Sequence, residues 1–330
     1  MMPFVNLTAQ RTAYKDEFEQ AEKAVLDSGC YIGGPFVAEL EEKLADFCGA
    51  KHAVTCGSGT EALTIALMTL GVHIGDEVIV PDFTFVAPAE CVAGLGAKPV
   101  FADINPETLQ IDVASVKASI TPHTRGIIAV DLFGQCAPFA ELREVARKNG
   151  LWLLEDAAQA FGATVATSTA ENNGQAIRHA GTFGDISITS FYPSKPLGCY
   201  GDGGALFTSD DELASKIKQI ANHGSRENYL HEIVGVNSRL DALQAAVLLV
   251  KLRHFEAELA VRRENARRYD EFFSEYNGLR SQKLAAGNSS TYAQYTVLAD
   301  DRTAFMQKLD QAGIPHCIHY PMPLHRQPCF

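Results

Sequence analysis

From residue 52 onward, short apolar runs alternate with stretches long enough for a helix, and this alternation limits the fold more than any other feature of the sequence. Strand-length runs lie at His52–Cys56, Glu77–Val80, Pro99–Ala102, Gly126–Val130, Leu151–Leu154, Ile186–Phe191 and Ala205–Thr208. The pattern predicts an α/β fold in which a mainly parallel sheet lies between helices, and sheets of that kind bind ligands at the carboxyl ends of their strands. Ahead of it, residues 13–28 and 36–49 read as amphipathic helices, the second with Val37, Leu40, Leu44 and Phe47 on one face. The break between them, from Gly29 to Pro35, leaves Tyr31 and Ile32 either to line a site or to cover the core. Residues 164–182 are polar and weakly patterned, and read as an exposed loop or hairpin insertion. A helical pattern from Leu240 to Phe273, with Leu243, Val247, Val250 and His254 as buried candidates, is long enough to link two domains. The expected division is a large domain over 1–240 and a small α+β domain over 241–330. The small domain should hold strands at Tyr292–Ala299 and Pro315–His319 and a helix near Arg302–Ala312; no internal repeat is evident.

A chain of 330 residues can bury a sizeable core. Its net charge of -12 argues against nucleic acid or an anionic membrane as partner, since both require a basic face. An anionic small molecule stays open if arginines and backbone N–H groups gather locally. No apolar run approaches about 18 residues and no basic-then-apolar start is present, so neither a membrane span nor a signal peptide is expected, and the cytoplasm is the expected compartment. The eight cysteines lack paired spacing and read as reduced thiols.

Chemistry concentrates first at Lys195. Asp185 to Phe191 alternates polar and apolar residues as a strand does, and Pro193 and Pro196 forbid both its continuation and a helix. Lys195 therefore sits on a loop at a strand end, either as a solvated lysine or as a candidate for a Schiff base. Gly57-Ser58-Gly59-Thr60-Glu61-Ala62 follows a strand and opens an apolar helix, where unpaired N–H groups and the positive dipole end suit a phosphate. The same loop satisfies a loose dinucleotide fingerprint, Gly57-x-Gly59-x-x-Ala62, or serves as a plain helix cap. Leu151 to Gln159 ends a buried strand on Glu155 and Asp156. Asp156 either caps the next element or pairs with a protonated ring nitrogen, and Gln159 stands one helical turn on. Phe83 and Phe85 end another strand, one suited to the core and the other to a flat ring. Phosphate cradle, aromatic plate, strand-end aspartate and loop lysine are together the parts that pyridoxal 5′-phosphate requires. His316, Cys317, His319, His325 and Cys329 fit no zinc spacing, so no metal is expected.

Five motifs carry a resemblance that spans essentially the whole chain: Gly57-Ser-Gly-Thr-Glu-Ala-Leu63, Pro81-Asp-Phe-Thr-Phe-Val86, Glu155-Asp-Ala-Ala-Gln159, Ser190-Phe-Tyr-Pro-Ser-Lys195 and Gly235-Val-Asn-Ser-Arg-Leu-Asp-Ala-Leu-Gln-Ala-Ala246. The chain resembles the DegT/DnrJ/EryC1/StrS sugar aminotransferases, fold-type I enzymes dependent on pyridoxal phosphate. Residues 191–205, 292–297 and 319–328 are most similar to the bacterial enzymes acting on UDP-2-acetamido-2-deoxy-3-oxo-glucuronate, which supply diamino sugars for surface polysaccharide such as lipopolysaccharide O-antigen.

The resemblance implies Lys195 as the Schiff-base and proton-shuttling residue, Asp156 on the pyridinium nitrogen and Gln159 near the ring hydroxyl. It implies a phosphate held by Ser58, Gly59, Thr60 and Ser190, a ring against Phe85, and Asn237 reaching the phosphate from a second subunit of a homodimer. Arg239 matches the position near the substrate's uronate, where a guanidinium grips a carboxylate with two hydrogen bonds; its plain alternative is a solvated arginine at a helix start. Tyr31, Ser194, His319 and Tyr320 complete the implied substrate set, with glutamate as the implied amino donor. Family chains continue past the His319-Tyr320-Pro321 element, so the small domain is expected to be incomplete at Phe330. Three rivals stand beside this reading. A sugar dehydratase of the same family usually carries histidine at the lysine position; a nicotinamide oxidoreductase leaves Lys195, Asp156 and Gln159 without a joint role; a non-catalytic cofactor-binding regulator keeps the cradle alone.

Overall fold

The computed structural model describes residues 3–168, 175–227 and 229–330. Two short helices, α1 (Leu7–Ala13) and α2 (Lys15–Ser28), open the chain, followed by α3 (Pro35–Cys48), which starts on a proline and ends at Gly49 in the left-handed region. The helix expected over 13–28 is α2, which starts two residues later because Tyr14, with a ψ of 30°, leaves the helical range and separates it from α1. The alternating stretch then runs β1 (His52–Cys56), α4 (Gly59–Thr69), β2 (Glu77–Pro81), α5 (Ala87–Gly94), β3 (Lys98–Ala102), α6 (Val113–Ala118), β4 (Thr124–Val130), α7 (Phe139–Asn149) and β5 (Trp152–Asp156). A hairpin of β6 (Thr164–Ser168) and β7 (Gln175–His179) precedes β8 (Ile186–Ser190), β9 (Gly204–Thr208) and α8 (Asp211–Ala221). The insertion expected over 164–182 is this hairpin; its middle, 169–174, lies outside the described residues. The small ladder β10 (Ser225–Glu227) and β11 (Leu230–His231) leads to the long helix α9 (Ala242–Phe273), then β12 (Leu279–Ser281), β13 (Val297–Ala299) and α10 (Arg302–Gln311).

Among the described residues the main sheet has seven strands in the order β1-β9-β8-β5-β4-β2-β3. The five from β8 to β3 are parallel, and β9 runs antiparallel to both neighbours. Its strands are apolar on both faces because both faces are covered. Val78, Val80, Ile128 and Leu154 pack under α4, α5 and α8, while Ile79, Ile127 and Leu153 pack under α7. The alternation expected in 185–191 therefore marks two buried faces, since Ile186 to Thr189 are all buried. Near β9, α3 and α9 close the second face around Phe161, Phe191 and Phe207.

Helix α9 is buried almost continuously from Ala245 to Lys251 and thereafter only at Phe255, Leu259 and Ala266, as it emerges from the core. Val247 and Val250 are buried as expected, whereas His254 stays half-exposed, stacked on Tyr14 at 3.8 Å and bonded to Glu17. Of the two strands expected in the C-terminal part, one is absent and one is shortened. Residues 315–319 form no strand, because that segment finds no ladder partner among the described residues, and the run from Tyr292 shrinks to β13 because Tyr292 takes a φ of 46°. Among the described residues no helix is long and apolar enough to cross a membrane.

Candidate active site

The carboxyl ends of β1, β2, β4, β5 and β8 converge on one edge of the sheet. Parallel strands bring there the residues that follow each strand. After β1, Ser58 caps α4: its side chain accepts the Glu61 N–H at 3.1 Å and its carbonyl accepts Ala62 N–H at 2.9 Å. The amides of Gly59 and Thr60 find no acceptor among the described residues and remain available at the positive end of the helix. The Ser58 hydroxyl, implied as a cofactor contact by the resemblance, accepts in this cap and keeps its own O–H to donate.

Two close approaches shape this cradle. A Cβ at Gly59 would lie 2.6 Å from the Cβ of Ser190, so the end of β8 presses directly against the loop. A Cβ at Gly204 would lie 2.6 Å from the Ser58 carbonyl. Ser238 ties the loop to the segment before α9, accepting Gly57 N–H at 3.1 Å and donating to Glu61.

At the end of β5, Asp156 is 5 % exposed. One carboxylate oxygen accepts Ala158 N–H at 3.0 Å and the other has no partner among the described residues. Burial raises the Asp156 pKa, and the Lys195 ammonium opposes that rise. Lys195 sits half-buried on the loop after β8, where burial lowers its pKa and the Asp156 carboxylate partly restores it. Each side chain thus lies within the other's field. His319 joins them: burial lowers its pKa and the Lys195 charge lowers it further.

Gln159 lies on a turn after β5, not on the expected helix. Its carbonyl oxygen accepts the N–H of Phe133, a buried residue held at φ 63°, and its amide donates to the Tyr320 hydroxyl at 3.2 Å. Tyr320 is pushed up to about 12 by burial. The two aromatics after β2 differ in exposure. Phe83 packs edge-on against Phe133 and Tyr320, whereas Phe85 stays 50 % exposed at the mouth.

Tyr31, Ser194, Asn237 and Arg239 are exposed in the single chain, and no ion pair engages Arg239 among the described residues. The Tyr31 carbonyl accepts Ala242 N–H at 2.9 Å, which lays the 29–35 break against the start of α9, close in sequence to Arg239. Among the described residues no group of three or more His, Cys, Asp or Glu side chains is arranged to hold a metal ion.

Sequence reasoning passed over three interior residues. Glu155 is wholly buried and accepts Gly181 N–H at 2.8 Å, Phe183 N–H at 2.7 Å and the Ser187 hydroxyl at 2.5 Å. Asp131, after β4, accepts Ala137 N–H at 2.8 Å with one oxygen, and its other oxygen is buried with no hydrogen-bond partner among the described residues. Burial and the neighbouring Glu155 carboxylate push its pKa well up. Lys251 on α9 is the third. The period of two in a strand signals Glu155, because a neighbour of Asp156 must face the opposite side; nothing in the local sequence signals the other two.

The residues present fit pyridoxal phosphate. The cradle offers two free amides at a helix start, too close to Ser190 to admit a side chain at position 59, and Asp156 keeps an oxygen free beside a lysine whose amine burial shifts toward neutrality.

Residues 12–330 match the DegT/DnrJ/EryC1/StrS aminotransferase family. A UDP-2-acetamido-2-deoxy-3-oxo-D-glucuronate aminotransferase of Pseudomonas aeruginosa is 49% identical over 328 residues, covering 99% of this chain and 88% of its own. A UDP-N-acetyl-3-dehydro-alpha-D-glucosamine 3-aminotransferase of Acidithiobacillus ferrooxidans is 40% identical, covering 100% of this chain and 86% of its own. Among solved structures, NtdA of Bacillus subtilis with bound cofactor PMP matches with a TM-score of 0.88 and 28% identity, covering 99% of this chain and 74% of that one.

Proposed function

The chain belongs to the DegT/DnrJ/EryC1/StrS aminotransferase family, and from that premise we propose that it aminates the ketone of a nucleotide sugar, with UDP-2-acetamido-2-deoxy-3-oxo-glucuronate as substrate and glutamate as donor. It is a sugar aminotransferase that uses pyridoxal 5′-phosphate. The observation that carries the reading is the unpartnered oxygen of buried Asp156, gathered with Lys195 and the free amides of Gly59 and Thr60 at one edge of the sheet. Residues 1–240 would form the cofactor-binding unit and 241–330 the smaller one, in a cytoplasmic homodimer in which Asn237 reaches the partner's phosphate.

In this reading Gly59, Thr60 and Ser190 would hold the phosphate, Phe85 would cover the ring and Asp156 would lie toward its nitrogen. When bound, the cofactor supplies an aldehyde that joins an amine and a ring that accepts the electrons left when a proton departs from the adjoining carbon. Lys195 is suited to both of its tasks by its site. Burial favours its neutral, nucleophilic amine, and the same Nζ, when free, would move a proton from the donor's α-carbon to the carbon that bore the cofactor's aldehyde. Asp156 would hold the ring nitrogen's proton; its own burial works against ionisation, and the Ala158 N–H on its carboxylate favours the charged, accepting form. Tyr320, bonded to Gln159, closes one wall and His319 stands near Lys195, both on the substrate side. Arg239 would grip the uronate carboxylate.

The test is spectroscopic. The purified protein should show a visible band that borohydride bleaches, and glutamate should discharge it. Lys195→Ala should bind cofactor without that band and should not turn over; substantial transamination by this variant would reject the assignment. A panel of UDP-linked keto sugars, with and without the carboxylate, then decides the substrate.

A further inference from the structure

The loop that carries Lys195 is closed at its base and gripped from α9. Phe191 N–H donates to the Gly203 carbonyl at 2.7 Å, and the Phe191 carbonyl accepts Cys199 N–H at 2.7 Å, so residues 192–198 are tied off as a unit. Within it Lys195 N–H donates to the Tyr192 carbonyl at 2.8 Å. Gly198 folds back so closely that a Cβ there would meet the Pro193 oxygen at 2.6 Å and the Tyr192 oxygen at 2.7 Å. A displacement of Gly198 is therefore passed to the limb that bears Lys195, because packed backbone has no slack to absorb it.

Two side chains of α9 hold this end. Gln244 accepts Tyr200 N–H at 2.8 Å, and Lys251 donates from Nζ to the Gly198 carbonyl at 2.5 Å. Lys251 is only 2 % exposed, and its amine lies 4.6 Å from the centre of the Tyr200 ring. Burial brings its pKa down to about 8, with the Cys199 thiol and Glu258 acting in the opposite sense. A buried amine with one carbonyl and a ring face is a costly way to fill space that methionine would fill without desolvating a charge. What the amine adds is its hold on the Gly198 oxygen. That hold persists through titration, since a neutral amine still donates.

We propose that Lys251 is a positioning residue for Lys195: by fixing the Gly198 carbonyl to α9 it holds the closed loop so that the reactive amine points at the cofactor aldehyde. This rests on the reading of Lys195 as the residue that bonds the cofactor.

Lys251→Met and Lys251→Arg are compared with the unaltered protein after cofactor removal. Capture of pyridoxal phosphate is followed by growth of the borohydride-sensitive visible band. Binding of pyridoxamine phosphate, which forms no bond to lysine, is followed by quenching of the protein's fluorescence. Lys251→Met should slow capture by about tenfold or more, within the roughly hundredfold that a ~1 Å misplacement costs. Affinity for pyridoxamine phosphate should stay within about twofold, well under the 1.4 kcal/mol of a tenfold change. Lys251→Arg, which keeps a donor, should recover most of the rate. An unchanged capture rate overturns the proposal, and so does a parallel loss of pyridoxamine phosphate affinity, the mark of a merely structural residue. If Lys251→Met does not fold, as judged by circular dichroism, Lys251→Gln is read by the same criteria. Lys195→Ala runs alongside. If the unaltered protein gives no borohydride-sensitive band, or Lys195→Ala retains one, the reading beneath fails and takes this inference with it. If Lys195→Ala lacks the band while Lys251→Met captures normally, the inference alone fails.

Discussion

Replacing Gly204 by alanine tests the cradle without substituting any residue proposed to contact the cofactor. The new Cβ would stand 2.6 Å from both the carbon and the oxygen of the Ser58 carbonyl and 2.9 Å from Gly59 N, all of them backbone atoms that cannot swing aside. Comfortable contact begins near 3.5 Å, so about 0.9 Å must be found between β9 and the loop. Overpacking of this kind costs roughly 1–3 kcal/mol of stability. Movement of the loop also drags the free amides of Gly59 and Thr60 out of line. A hydrogen bond to a charged group contributes about 1.5–3 kcal/mol, so losing half of two such bonds removes roughly 1.5–3 kcal/mol. At 1.4 kcal/mol per tenfold, affinity for pyridoxamine phosphate should fall about 10- to 100-fold. Equilibrium fluorescence titration measures it, with thermal melting recorded on the same samples. Wild-type affinity in a variant with wild-type melting would show that the loop does not bear on the phosphate, and would refute the assignment of the cradle.

The interior acids give a prediction about pH. The folded-state pKa of Asp131 is raised by burial and by Glu155, so the folded chain keeps a proton that the unfolded chain releases near pH 4. Stability is then lost as pH rises from about 4 toward the folded value, with the slope set by that proton difference. Asp131→Asn keeps an oxygen for Ala137 N–H, removes the titration and offers N–H toward Glu155; it should melt higher than the unaltered protein, by more near pH 8 than near pH 5. Equal melting shifts at both would show that Asp131 does not titrate anomalously. Arg239→Ala should weaken turnover of a UDP-linked uronate far more than that of its neutral counterpart, since a bidentate grip needs the carboxylate. Equal effects on the two, measured as kcat/KM ratios, would remove Arg239 from substrate recognition.

The strand positions were legible because each β-run from His52 to Thr208 is apolar and bounded by turn-forming residues, and covered strands need no more than that. Lys195 was legible for a local reason too: Pro193 and Pro196 expel it from regular structure. The helix read over 13–28 forms as α2, two residues short at its start because Tyr14 leaves the helical range. The expected strand at 315–319 failed because an extended segment becomes a strand only when a partner is alongside, and partnership is not written in the segment itself. Gln159 shows the same limit. Its distance from Asp156 in sequence suggested one helical turn, but β5 ends in a turn, and the amide is spent on Phe133 and Tyr320.

The sequence alone determined the succession of strands and helices and the chemical types gathered at their ends: glycine loop, aromatic pair, aspartate and lysine. Those depend on side-chain period and backbone freedom, which are local properties. Tertiary structure alone decided which of these side chains keeps a free group, because that depends on what arrives from elsewhere in the chain. Gly59 is hemmed in by Ser190 at the end of β8 and Gly204 by the Ser58 carbonyl, and Asp156 and Lys195 perturb each other across a strand and a loop nearly forty positions apart in the numbering. Lys251 belongs to the same class: in the helical pattern of 242–273 it is one more charged residue, and only the packing of α9 against the 192–198 loop buries it on the Gly198 carbonyl.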